Sequence, residues 1–245
     1  MRLTISLLIA LSLAPLPAQD GLDKPRNLRV STWVREDLFA GFLDGDMARF
    51  ARGVKKAERA VAADPKAADA LAWLGGAELL LAVRAHEAGK TWEFEVHFAK
   101  AQVHFAGSAA VVAQIPAYAE ALHAIQGGSY VVMGDRMPEQ HRKAAWQAVR
   151  EHYTAIRALH GAGFGKLPVH MRGEVLAGLA QAAQRLGEAD VAKEQTRALV
   201  AAFPGTPYAV FAQRWLDKPE TMGRTKVTCV TCHEPGRLQA ASGGN

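Results

Sequence analysis

The sequence predicts an all-helical protein, and three observations carry that expectation. From Ser31 to Leu216 the chain is rich in alanine, and its apolar residues recur every three or four positions rather than alternating. Gly and Pro interrupt this pattern at intervals suited to helix pairs. Beta-branched alternation is almost absent: Ser129–Met133 is the one short stretch with strand character, and it is too isolated to build a sheet. Hydrophobic residues make up 49% of the 245 and charged residues 22%, which is globular composition and excludes a disordered or fibrous chain. Two cysteines are too few for a disulfide-built scaffold. The net charge of +5 is spread over bases that alternate with acids. With no Lys/Arg block and only 7% aromatics, nucleic acid is not expected as a partner.

Taken in order, the chain begins with Arg2 and an apolar run from Leu3 to Leu13, interrupted only by Thr4, Ser6 and Ser12. Pro15, Pro17 and Ala18 follow. That run is too short to span a bilayer comfortably, so residues 1–18 read as a secretory signal peptide cut after Ala18, with an uncleaved anchor as the alternative. The expected compartment is periplasmic, and peripheral attachment to a membrane complex would come through protein contacts. Residues 19–30 are polar, contain Pro25, and read as an N-terminal arm. Residues 31–216 read as a helical repeat-like domain. Within it one amphipathic helix ends at Asp64-Pro65, and a new apolar period begins three residues on. Two long helices are expected over 92–126 and 138–160, joined by Gly127-Gly128 and a loop around Gly134–Pro138. Leu176, Leu179, Ala180 and Ala183 then mark one helix face. Gly187 to Asp190 is a tight turn, and Ala192, Leu199 and Pro204 mark the second helix.

This last pattern resembles the tetratricopeptide repeat, a 34-residue pair of antiparallel helices with small residues at their crossing and a proline after the second. Leu71, Leu74 and Gly75, counted from Pro65, fall where that family places its large residue, its leucine and its glycine. Leu176, Leu179 and Ala180 do the same in the unit that ends at Pro204. Gly41 and Ala60 also fit, although the Gly45-Asp46 turn comes three residues early, and 91–160 fits poorly. The resemblance implies helical hairpins stacked as a short solenoid, because one pair cannot bury its apolar face alone. The bland alternative is an irregular helical bundle. Such a solenoid usually offers a groove for a peptide or another subunit, but architecture alone does not assign function.

The chemistry lies in residues 217–245, at Cys229-Val230-Thr231-Cys232-His233. Two thiols separated by two residues can add to the two vinyl groups of a haem, and the histidine that follows can reach the iron from the same side. A thioredoxin-like redox pair would want a strand before it and a helix starting at it. A structural zinc would need a fourth ligand beyond these three. An inert disulfide is a further rival. The segment resembles a c-type cytochrome haem motif, and Lys226 to His233 is similar to haem motifs in multihaem cytochrome subunits of photosynthetic reaction centres. The resemblance implies one covalent haem c, with thioethers at Cys229 and Cys232 and His233 as proximal iron ligand. It departs from the small cytochrome domain, where 60 or so residues wrap the haem after the motif, since here only twelve follow His233. It departs also from four-helix cytochromes of the c-prime type, where the motif lies on the last helix, because Pro235 would break a helix. Met222, in a polar stretch between Pro219 and Gly223, is the first candidate for sixth ligand, and His170 and Met171 are the next. His97 and His104, seven apart, share a helix face and could flank a groove, and a ligand from a partner chain, or no sixth ligand, is the remaining alternative.

The expected function is electron transfer by an exported monohaem cytochrome, as a subunit of a larger membrane-attached complex. Its partner would be a redox protein or a multihaem cytochrome. Lys218, Arg224, Lys226 and Arg237 form a basic collar suited to an acidic partner face or to haem propionates. The alternative is a structural or assembly subunit that binds protein through its helical groove. A peroxidase or gas sensor is less favoured: its distal acid–base pair would have to come from residues such as Glu151, His152 and His160, which nothing in the sequence places near Cys229.

Overall fold

Several helix boundaries in residues 32–218, the part of the chain that the computed structural model describes, have a local cause. Helix α1 (Thr32–Phe39) runs into a π turn at Ala40–Asp44, which Gly45 closes with a left-handed φ of 71°. Helix α2 (Met47–Ala63) starts where the Arg49 amide donates to the Asp46 carboxylate at 3.0 Å. It stops where Pro65 forbids another turn, and the Lys66 amide donates to Asp64 Oδ1 in the bend. Then follow α3 (Ala68–Glu87), α4 (Thr91–Gln114), α5 (Ala119–Met133) and α6 (Glu139–His160). The described residues close with α7 (Val169–Arg185), α8 (Ala189–Ala202) and α9 (Pro207–Asp217). Pro138 and Pro168 stand directly before α6 and α7. Thr206 caps α9, whose first residue is Pro207.

The result is an all-α bundle in which each helix packs on the next, with α3 also against α5 and α7 against α9. The largest contact is between α3 and α4. It is close because Gly75 lacks a side chain: a Cβ there would lie 2.4 Å from the Phe105 ring. Helix α3 touches α2, α4 and α5 and is apolar nearly all round, as a central helix must be. One core runs from α1 to α7 through Phe50, Trp73, Phe94, Phe105, Trp146 and Tyr153. A second, built on Ala177, Ala180, Leu199, Phe203, Tyr208 and Trp215, joins α7, α8 and α9.

Two expectations for the middle of the chain are corrected. Residues 92–126 are not one helix: the chain breaks at Ile115, passes through a short 3-10 turn at Pro116–Tyr118 and resumes as α5. Pro116 is the cause, since it has no amide to donate and forces Ile115 out of the helical region, to φ −130° and ψ 79°. Gly127-Gly128 is consequently inside α5 rather than a junction. Ser129–Met133 is helical too, because burial of Tyr130, Val131, Val132 and Met133 in the core overrides their strand propensity.

Candidate functional site

The residues that carry the haem expectation, Cys229, Cys232, His233 and the proposed ligand Met222, lie outside the described residues, as do Arg224, Lys226 and Arg237 of the collar. What is described is the surface from which that segment departs. Helix α9 packs on α8 and ends at Asp217, with Lys218 exposed after it. Between the end of α8 and the outer face of α9 lies an open groove of about 750 Å³. Val200, Pro204, Ala209 and Val210 give it an apolar floor, and Gln213, Arg214, Asp217 and Lys218 give it a polar rim. Val210 is more than half exposed there, which is unusual for a side chain of its kind on an otherwise amphipathic helix. The lining contains neither histidine nor methionine.

The candidate ligands among the described residues are occupied in other ways. His170 lies in the first turn of α7, about half exposed, where the Tyr208 hydroxyl donates to its carbonyl at 3.1 Å and its Nε2 stands 3.5 Å from Glu174. Met171, beside it, is half-buried. His97 Nδ1 is 2.6 Å from Glu78 on α3, tying α4 to α3. His141 packs against the stacked rings of Phe94 and Phe98, with centroids at 5.3 and 4.9 Å.

The histidines imagined above an iron face α5 instead. His152 Nδ1 lies 2.8 Å from His123 Nδ1, so one ring donates and the other accepts. Burial pushes both pKa values down, and for His152 burial together with its neighbour brings the value to about 4. Eight residues along, His160 Nε2 meets Glu120 on α5 at 3.1 Å. A third tie connects α6 to α7, where the Tyr153 hydroxyl donates to Glu174 at 3.1 Å. Sequence reasoning missed this seam. The i,i+3 spacing of Glu120 and His123, facing His152 and His160 two turns apart, was the available signal.

No family model, curated protein or solved structure matches this chain. The geometry therefore stands by itself. Among the described residues no group of three or more His, Cys, Asp and Glu side chains could hold a metal ion. No described helix is long and apolar enough to cross a membrane. The arrangement on α5, α6 and α7 joins helices through the His123–His152 and Tyr153–Glu174 hydrogen bonds and the approach of His160 to Glu120. The groove on α8 and α9 is open, apolar at its floor and charged at its rim, which suits binding.

Proposed function

We propose that the helical body is a protein-docking scaffold and that the C-terminal segment bears one haem c, making the chain an electron-transfer subunit of a larger redox complex. The scaffold reading is supported by the succession of hairpins α1/α2, α3/α4, α5/α6 and α7/α8, closed by α9, with the skipped contacts α3–α5 and α7–α9 that a tetratricopeptide-like stack would make. The last hairpin, Val169 to Ala202, has the repeat's length, while α3 and α4, at 20 and 24 residues, are longer than such a repeat allows. The electron-transfer reading is carried by the single observation of Cys229, Cys232 and His233 in haem-attachment spacing.

Cys229 follows Lys218 by eleven residues, a tether that reaches at most about 36–40 Å. That span includes the α8–α9 groove. Its floor suits one face of a porphyrin, and Arg214 and Lys218 suit the propionates, while the iron ligands must come from elsewhere. Bound haem c would carry one electron by cycling between Fe(II) and Fe(III). The chain's own contribution is attachment through Cys229 and Cys232, proximal ligation through His233, and fixed position at one end of a long helical body.

A reduced-minus-oxidised spectrum of the exported chain, made in a host with haem-attachment machinery, is the test. The expected result is c-type bands, lost on changing both Cys229 and Cys232 to Ala while the far-ultraviolet helical signal stays. An exported chain without such bands refutes the haem. The scaffold is tested apart from it: the double-cysteine variant should still co-purify with its partner from native membranes, and loss of the partner would make the haem segment itself the contact.

A further inference from the structure

Helix α4 is apolar on two opposite sides. One side buries Phe94, Ala101, Phe105 and Ser108 against the bundle. The other exposes Trp92, Ala99, Val103, Ala106, Ala110 and Ala113, with Trp92 at 78% and Val103 at 70% of full exposure. The neighbouring outer helices do otherwise: α2 turns Arg52, Lys55, Glu58 and Arg59 to solvent, and α8 turns Lys193, Glu194 and Arg197. A helix apolar on two opposite sides, with charges only on its flanks, has one apolar side that this bundle leaves unmatched.

The exposed side of α4 has a period of its own. With half-buried Val96 included, the apolar residues from Trp92 to Ala113 follow alternating steps of four and three, the heptad seam of a two-stranded coil. Val96 and Val103 occupy one of the two seam positions, where beta-branched residues favour dimers, and the alanines at the other let helices approach closely. The charges beside the seam then select the mate. Glu95 lies on one flank and Lys100, five residues on, on the other. Two parallel copies bring each glutamate to the other's lysine, twice over by symmetry, whereas antiparallel pairing sets glutamate flank to glutamate flank.

We propose that α4 is a self-association surface, through which two copies of this chain form a parallel dimer along the seam from Trp92 to Ala113. The helix is 24 residues long, giving a contact line of about 36 Å. The inference is independent of haem and of any redox partner.

Sedimentation equilibrium of the full-length chain tests it. The wild type should be dimeric, and Val103→Glu should be monomeric with unchanged helical circular dichroism, since the position is exposed and supports no fold contact. Glu95→Lys and Lys100→Glu should each weaken the dimer by about ten-fold or more, because each places like charges across the seam. Combining the two restores opposite charges and should restore dimerisation. A chain that is monomeric at its highest attainable concentration overturns the proposal, as it would if α4 were covered by residues 1–31 or by a different protein. A dimer that survives Val103→Glu, or a charge-swapped double variant no better than the singles, overturns it equally.

Discussion

Replacing Gly178 by Ala should destabilise the protein, although alanine is the better helix former. The Tyr153 side chain, 1% exposed, lies between two glycines on different helices. A Cβ on Gly178 of α7 would be 2.1 Å from Tyr153 Cε2, and one on Gly127 of α5 would be 2.6 Å from Cε1. The ring therefore has no side to which it can retreat. Alanine in a helix interior gains about 1 kcal/mol over glycine. Overpacking of this kind costs about 1–3 kcal/mol, and with the ring held from behind the upper end applies. The net loss is about 2 kcal/mol, which for a domain of this size lowers Tm by about 4–8 °C. Thermal unfolding followed by circular dichroism measures it. Gly163→Ala is the control, because no atom lies within 4 Å of its Cβ position, and it should change stability by less than about 0.5 kcal/mol. Adding Tyr153→Leu to Gly178→Ala should cost less than the sum of the two singles, since both act on one contact. A Gly178→Ala protein as stable as wild type would refute the claim that these glycines exist to seat the ring.

Acid should loosen the α5–α6 seam. His152, neutral with its pKa lowered to about 4 in the fold, binds its proton more weakly than the unfolded chain does near 6.5, so its contribution is complete above pH 6.5 and is lost as pH falls toward 4. The loss is up to about 3 kcal/mol, and urea unfolding at pH 7.5 and 4.5 should find it shrunken in His152→Gln. Asp37 is 5% exposed and tied to Arg52 at 2.7–2.8 Å and to Arg49 at 3.2 Å, joining α1 to α2. Burial raises its pKa, but the Arg52 and Arg49 hydrogen bonds outweigh that and leave it below the usual range. Asp37→Asn should cost about 1–2 kcal/mol at neutral pH, and less in acid, by the same unfolding assay. Gln181 is fully buried on α7, and its amide has no hydrogen-bond partner among the described residues. Gln181→Met, similar in length, should raise stability by about 1 kcal/mol, and a loss would mean that the amide is used.

Helix class and most boundaries could be read in the sequence because their causes are local. Asp64-Pro65, Gly187 and Pro204 stop helices by backbone chemistry that needs no knowledge of neighbours. The errors arose where a distant residue decides. Gly127-Gly128 looks like a junction until Tyr153, 26 residues on, is seen packed against Gly127. Val131 and Val132 have strand character in isolation, but as expected they build no sheet and are buried within α5. Pro116 was the exception, a local signal overlooked in favour of the apolar period around it. The histidine seam was hidden for another reason: the spacings of Glu120 with His123 and of His152 with His160 each mark a helix face, but which two faces meet is decided only when α5 and α6 dock. The expectation for Cys229, Cys232 and His233 is of the opposite kind: it rests on spacing along the chain alone, and those residues lie outside the described ones.

Two cores rather than one have a consequence for how the terminal segment relates to the body. The α7–α9 core closes on Phe203, Tyr208 and Trp215, each nearly inaccessible to solvent, before the chain reaches Lys218. Tyr208 seals the start of α9 against α7 through Gly173, where a Cβ would come within 2.5 Å of its ring, and Thr206 caps the same turn. The last helix is thereby satisfied at its buried face by residues inside the body. What it leaves open is its outer side, where Val210 and the groove floor face solvent beside Arg214 and Lys218. A body that completes its own core can hold a redox group at its edge without depending on that group to fold, and the groove can be changed without touching the core. The outer face of α4 belongs to a different hairpin and a different core, so the proposed self-association and the proposed haem attachment can be tested one at a time. The proposed scaffold would require that separation: each contact adjustable on its own surface, with buried Tyr153, Trp146 and Trp215 holding the helices between them.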